Sequence, residues 1–122
     1  MLVIDKSKKL DKLYQEGDWD GVIEIAEKLF LNKTDDIKVL NDLAVAYRRK
    51  NMIEEALKVC QRIYSLNPEP DIMKQSINLG VRYMRHHQIL GEILYKKGEH
   101  EKSLKIFNSL NPLGSHFSDI FY

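Results

Sequence analysis

The side chains that could catalyse a reaction or hold a metal are few in this sequence, and their spacing does not assemble a site. His86 and His87 are adjacent, so on a helix they point about 100° apart and cannot share a metal ion. Neither has a histidine or cysteine three or four residues away. Cys60 falls at a helical core position, and Asp35 and Asp36 precede a helix as capping residues do. With no glycine-rich phosphate loop, the sequence predicts a protein that is not an enzyme and has no metal or cofactor.

Composition indicates a soluble globular protein and gives no support to charge-driven partners. The chain has 122 residues, 43% of them hydrophobic and 30% charged, which suits one domain. Nineteen basic residues against eighteen acidic ones leave a net charge of +1, which does not favour duplex nucleic acid or an anionic membrane. A single cysteine cannot form an internal disulfide, and no apolar run approaches the roughly 18 residues of a membrane span. We therefore expect a cytoplasmic protein that does not enter a membrane.

The elements that position these residues are predicted to be amphipathic helices. Apolar residues recur at three- and four-residue spacing, and no segment alternates with period two. The predicted helices span about 4–16, 19–31, 36–50, 53–65, 71–97 and 101–109. Short breaks at Gly17, Asn51 and Gly98 each join two helices into an antiparallel hairpin. The chain is thus predicted to be all-α, with three helical hairpins in a row.

The hairpins repeat with a recognisable period. The breaks at Gly17 and Asn51 lie 34 residues apart, and Gly98 follows after 47, which is one period plus an insertion of 13. The middle hairpin carries a fixed pattern of apolar, small and proline residues: Leu40, Leu43, Ala44, Tyr47, Ala56, Cys60 and Pro68. In this pattern the chain resembles the tetratricopeptide-repeat (TPR) family. The resemblance implies one domain over 1–122, a right-handed superhelix with units at about 3–36, 37–70 and 84–112, an insertion at 71–83 and a tail at 113–122.

The insertion departs from the repeat but keeps its apolar spacing. Met73, Ile77, Gly80, Val81 and Met84 run with helical periodicity into the third unit. This predicts one long helix from about 71 to 97, so that the third hairpin has an extended first helix. Two interpretations remain open. The extension packs on its own chain, or its apolar residues form a dimer or partner surface.

The resemblance also implies a concave groove, lined by the first helix of each hairpin, in which the family binds peptides or helices. The residues that spacing places on that face are Tyr14, Lys38, Asn41, Val45, Arg48, Arg49, Arg85, Gln88 and Tyr95. Their basic, amide and aromatic groups suit a peptide that carries carboxylates. Asn41 could pair with a peptide amide, and Arg48 or Arg85 could bind a carboxylate with two hydrogen bonds. The alternative is that these are ordinary solvated side chains.

Two functional hypotheses follow from different classes of protein. The favoured one is an adaptor that binds a peptide or helix of a partner protein in the groove, and the basic side chains there would suit an acidic partner. The alternative is a structural protein that assembles with copies of itself. Its contacts would be Met73 and Ile77 of the long helix and the apolar C-terminal residues Phe117, Ile120 and Phe121. Nucleic-acid binding is a distant third hypothesis, because the basic residues are interleaved with acidic ones.

Overall fold

The structure, a computed structural model, describes residues 4–114, with side chains described from Ser7 onward. Its helices are α1 (Ile4–Glu16), α2 (Trp19–Leu31), α3 (Ile37–Arg49), α4 (Ile53–Leu66), α5 (Ile72–Leu79), α6 (Arg85–Lys96) and α7 (His100–Leu110). A 3₁₀ turn, Val81–Met84, precedes α6, and another over 111–114 follows α7. Residues 4–114 contain no strand, which confirms the predicted all-α class. Within the same range, no helix has the length and apolar character needed to cross a membrane.

Three helices begin at an aspartate whose carboxylate accepts a backbone hydrogen bond. Asp18 accepts from the Gly21 N–H at 2.9 Å, at the start of α2. Asp36 accepts from Lys38 at 3.0 Å before α3, and Asp71 accepts from Lys74 at 3.1 Å before α5. Each bond satisfies one of the donors that have no partner within the first turn. The predicted capping role of Asp36 is therefore confirmed.

The turns between paired helices use residues that tolerate a left-handed backbone. Gly17 has φ of 73°, Asn51 of 61° and Gly98 of 86°, and each follows the first helix of a pair. Glycine adopts this conformation without steric cost, and asparagine is among the side chains that accept it most readily. The three breaks predicted from sequence therefore lie where α1, α3 and α6 turn back towards α2, α4 and α7.

The main core is centred on α3, which packs against α1, α2, α4 and α6. Every residue of α3 from Leu40 to Tyr47 is buried. A helix that is buried on nearly all sides in this way lies inside the protein rather than on its surface. Leu40, Leu43 and Ala44 meet Ala56 and Cys60 of α4 in one cluster, so the residues that define the repeat pattern are the centre of the core.

The predicted long helix over 71–97 is wrong, because the chain breaks at Gly80. This glycine has φ of 100° and ψ of 148°, which ends α5 before the Val81–Met84 turn. The cause is a second core, in which Ile72 and Met84 pack with Leu110 and Leu113. A continuous helix would hold Ile72 and Met84 about 18 Å apart, too far to share one cluster. The insertion therefore packs on its own chain through Ile72.

Candidate binding face on α1, α3 and α6

The first helices of the three pairs lie side by side, with α3 in contact with α1 on one side and with Val81–Met84 and α6 on the other. We call their shared surface the α1–α3–α6 face. Most of the residues predicted for the groove are partly or fully exposed there: Tyr14, Lys38, Arg48, Arg49, Arg85, Gln88 and Tyr95. Asn41 and Val45 are not, since they are 0% and 6% exposed. The structure thus corrects the predicted surface position of these two residues.

Asn41 is buried because it holds the beginning of α6. Its Oδ1 accepts a hydrogen bond from the His86 backbone N–H at 2.9 Å and lies 2.9 Å from His86 Nδ1. Its Nδ2 donates to the Arg82 carbonyl oxygen at 3.3 Å. The N–H of His86 belongs to the first turn of α6, where intrahelical acceptors are missing. The suggested pairing of Asn41 with a peptide amide is therefore wrong, because its amide is already used within the chain.

Arg82, which the groove prediction did not include, joins all three parts of the face. Its guanidinium is 2.9 Å from Asp42 Oδ2 on α3 and also forms an ion pair with Asp11 on α1. The same group lies over two aromatic rings, 4.2 Å from the centroid of Tyr14 and 4.6 Å from that of Tyr83. We call these five residues the Arg82 clamp. No spacing rule could reveal it, since Asp42 and Asp11 are 40 and 71 residues away in sequence.

The clamp contains a carboxylate that is nearly removed from water. Asp42 is 2% exposed, and burial raises its pKa to about 6, against the opposing effects of Arg82 and of the hydrogen bond from Asn41. Burial disfavours the charged form of an acid, while a neighbouring cation favours it. Asp42 therefore needs the Arg82 guanidinium in order to remain ionised near neutral pH.

The remaining part of the face carries a third ion pair and an exposed aromatic ring. Arg48 Nε donates to Glu92 Oε1 at 2.8 Å, so the carboxylate predicted for Arg48 is provided by α6 of the same chain. Arg85 donates to Gln88 at 3.1 Å. Tyr95 is 59% exposed and stacks on His100 with the ring centroids 4.6 Å apart.

The two adjacent histidines are core residues. His87 is 1% exposed, with Nδ1 2.5 Å from the Tyr64 hydroxyl and Nε2 2.9 Å from Gln75 Oε1. Burial lowers its pKa to about 4. Burial, and then the charge of His87, lower the pKa of His86 well below its ordinary value. Both rings are therefore neutral at pH 7 and serve as packed, hydrogen-bonded parts of the core.

The residues proposed for self-association fall into two groups. Met73 and Ile77 lie one turn apart on α5 and are 43% and 79% exposed. They form an apolar strip on the side of α5 that faces away from Ile72. Phe117, Ile120 and Phe121 lie outside the described residues.

Neither metal chemistry nor a known relative points to a role for this face. Among the residues that the structure describes, no group of three or more histidine, cysteine, aspartate or glutamate side chains could hold a metal ion. No protein-family model, no curated protein and no solved structure matches this chain.

Proposed function

We propose that the chain is a protein-interaction module whose α1–α3–α6 face binds an acidic segment of a partner protein. One observation carries the proposal: three acidic side chains of the face, Asp11, Asp42 and Glu92, are paired with arginines of the same chain. Arg82 pairs with Asp11 and Asp42, and Arg48 pairs with Glu92. On α3 and α6, the exposed charged side chains outside any ion pair among the described residues are all basic, namely Lys38, Arg49 and Lys96.

Tyr14 marks the middle of this basic surface. Its pKa is raised by burial and by the charge of Asp42, and three arginines act in the opposite direction: Arg82, Arg85 and Arg49. Of these arginines, Arg82 lies over the Tyr14 ring, 4.2 Å from its centroid. A partner carboxylate near Tyr14 could pair with Arg49, whose guanidinium forms no ion pair among the described side chains, whereas Arg82 is already held by Asp11 and Asp42. Tyr14, Tyr83 and Tyr95 add flat apolar contacts with polar tips.

The order of the elements supports the same proposal. Paired helices with turns 34 residues apart, small residues at Ala44 and Ala56, and Pro68 after α4 match the pattern that the sequence shares with TPR proteins. In such a fold the α1–α3–α6 face is the concave groove of a right-handed superhelix. The function of that groove is to bind other proteins, not to catalyse a reaction. We include a cytoplasmic location in this proposal.

A matched set of fluorescent 12-residue peptides tests the proposal. The peptides share their apolar residues and differ only in carrying glutamate, glutamine or lysine at the remaining positions. We expect the glutamate peptide to bind most tightly in polarisation assays, and Arg49→Glu to weaken it at least about tenfold through charge reversal. The control is Lys58→Glu, the same reversal at an exposed position on α4. Equal binding of the three peptides, or an equal loss with Lys58→Glu, contradicts the proposal.

The apolar strip on α5 supports self-association as a second candidate function. Among the described residues, Ile77 is the most exposed large apolar side chain, and Met73 continues the strip by one turn. Light scattering after size exclusion, over a tenfold range of concentration, separates a 14.3 kDa monomer from a larger species. We expect Ile77→Asp to dissociate such a species and Asn78→Asp, at the adjacent exposed position, to leave it intact. A constant monomer mass rules this function out.

A further inference from the structure

A second surface lies away from the α1–α3–α6 face, between α4 and α7. It is a cleft of about 570 Å³, which we call the α4–α7 cleft. Its walls are almost entirely apolar: Tyr64, Pro68, Pro70, Ile72, Leu90, Leu94 and Ile106. Polar groups stand only at its rim: Glu69, Lys102, Lys105 and Ser109. Apolar concavities with a few polar groups at the edge are typical of sites that bind a side chain or ligand.

The cleft exists because α4 and α7 both pack on α6 but hardly contact each other. α7 is drawn tightly to α6 at Gly91, where an added Cβ would lie 2.9 Å from the Phe107 ring. Ser103 Oγ also donates to the Gly91 carbonyl oxygen at 2.7 Å. On the other side, Pro68 and Pro70 offer no backbone N–H, so this wall has few donors to satisfy. The two walls are thus held apart by contacts that do not depend on what fills the cleft.

The charges at the rim favour an occupant that carries a carboxylate. Lys102 pairs with Glu99 at 3.0 Å, while Lys105 forms no ion pair among the described side chains. Among the described residues of the lining, Glu69 is the only acidic one. The cleft therefore suits a large apolar side chain that stands beside a carboxylate.

A segment with this chemistry follows directly after the described residues. Residues 115–122 read Ser-His-Phe-Ser-Asp-Ile-Phe-Tyr and place Phe117, Ile120 and Phe121 around Asp119. The chain reaches this segment from Leu113, which packs in one cluster with Ile72, a residue of the cleft wall. Three residues span at most about 10 Å, which is the reach available from Gly114 to Phe117. We propose that residues 115–122 bind in the α4–α7 cleft of the same chain, with an apolar side chain inside and Asp119 towards Lys105.

Binding of this segment would cover the apolar surface that α7 leaves open as the last described helix. In stacked helical hairpins the terminal unit needs such a cover, because it has no following neighbour. This role is independent of the partner segment proposed for the α1–α3–α6 face. Of the helices of that face, only α6 also lines the cleft, through Leu90 and Leu94, so the two surfaces can be tested separately.

Disulfide trapping tests the proposal in the full chain. Lys102→Cys is paired with Ser118→Cys, and the control pairs Glu101→Cys with Ser118→Cys. Lys102 lines the cleft, whereas Glu101 is not among its lining residues. Because the two residues are adjacent, the two pairs have nearly equal separation in sequence. Cys60 does not interfere, because it is fully buried and its pKa is raised to about 12 by burial.

We expect the Lys102→Cys pair to form an intramolecular disulfide at least about tenfold faster than the control in oxidised glutathione. Adding Phe117→Ser should reduce its rate to that of the control. Equal rates for the two pairs, or a rate that Phe117→Ser does not change, overturn the proposal. Disulfides that form only between chains, with a rate that rises with protein concentration, also overturn it by assigning the segment to a second copy.

Discussion

α1 and α3 are both first helices of a pair, with 13 residues each, but they are held in place by different forces. α3 buries eight consecutive residues, whereas Leu10 is the only residue of α1 that is buried among the side chains described. Lys8 and Lys9 of α1 are exposed. The edge helix therefore depends on Leu10, on partly buried Leu13 and Tyr14, and on the ion pair between Asp11 and Arg82. Apolar burial therefore holds the central helix α3 in place, whereas the edge helix α1 also relies on an ion pair.

The largest expected difference between the two helices comes from truncating a leucine in each. Leu43 is 0% exposed in α3, and Leu43→Ala should lower the free energy of unfolding by about 3–5 kcal/mol through lost burial and a residual cavity. Leu10→Ala should cost about 2 kcal/mol, because the loosely held α1 can collapse around the gap. Urea titrations followed by circular dichroism measure both values. Leu104→Ala, at a residue 60% exposed, is the control and should cost under about 0.5 kcal/mol. An equal loss of unfolding free energy in Leu10→Ala and Leu43→Ala would contradict the inferred difference between α1 and α3.

Breaking the Arg82 clamp should weaken α1 more than α3. Arg82→Ala leaves the Asp42 carboxylate buried without a counterion, and we expect a loss of about 2–3 kcal/mol. Hydrogen exchange should show faster exchange of α1 amides and little change in α3. Adding Asp42→Asn removes the stranded charge, so the double variant should be more stable than Arg82→Ala alone. If the double variant is the less stable of the two, burial of the Asp42 charge is not the cause.

The smallest expected effect is a pH dependence of the free energy of unfolding, which originates in buried groups of the core. The pKa values of His86 and His87 are lower in the folded state than their ordinary 6.5, so the unfolded chain binds more protons as the pH falls from 6.5 towards 4. Stability that is present above pH 6.5 is therefore lost on acidification. Asp42 acts in the opposite sense, because its folded pKa of about 6 exceeds its ordinary 3.8 and its protonation favours the folded state between pH 6 and 4. Two histidines against one aspartate leave a net loss of about 1 kcal/mol per pH unit.

Urea unfolding at pH 7, 6, 5 and 4.5 measures this slope. Asp42→Asn should make it steeper, and His87→Gln should make it shallower. Asn78→Gln is the control, because Asn78 is exposed and has no titrating group, so it should leave the slope unchanged. If neither Asp42→Asn nor His87→Gln changes the slope, the pH dependence of stability does not arise from these buried groups.

Much of the helical framework could be predicted from the sequence, because its signals are local. The predicted bounds of α1 and α2 agree with the structure, and the turns at Gly17, Asn51 and Gly98 come from residues that tolerate positive φ. The break at Gly80 could not be predicted in this way. Gly91 has a similar apolar setting yet lies inside α6, so glycine alone does not decide whether a helix ends. The helix ends at Gly80 because Ile72 and Met84 pack in one cluster, and this cluster forms only in the folded chain.

The candidate site was predictable only where exposure follows helical spacing. Spacing placed Lys38, Arg49 and Tyr95 on an exposed surface, which the structure bears out. It could not show that the Val81–Met84 turn covers Asn41, nor that Arg82 reaches Asp11. Both depend on the path of the insertion across α3, and a periodic pattern carries no information about such a path.

The break at Gly80 also makes residues 72–79 suitable for engineering. Within a continuous helix, each inserted residue would rotate everything before it by about 100° relative to everything after it. Because α5 ends at a glycine with φ of 100°, its length is uncoupled from the orientation of α6. An epitope or a fluorophore attachment site grafted at the exposed positions 77 and 78 should therefore leave the Asn41–His86 contacts in register.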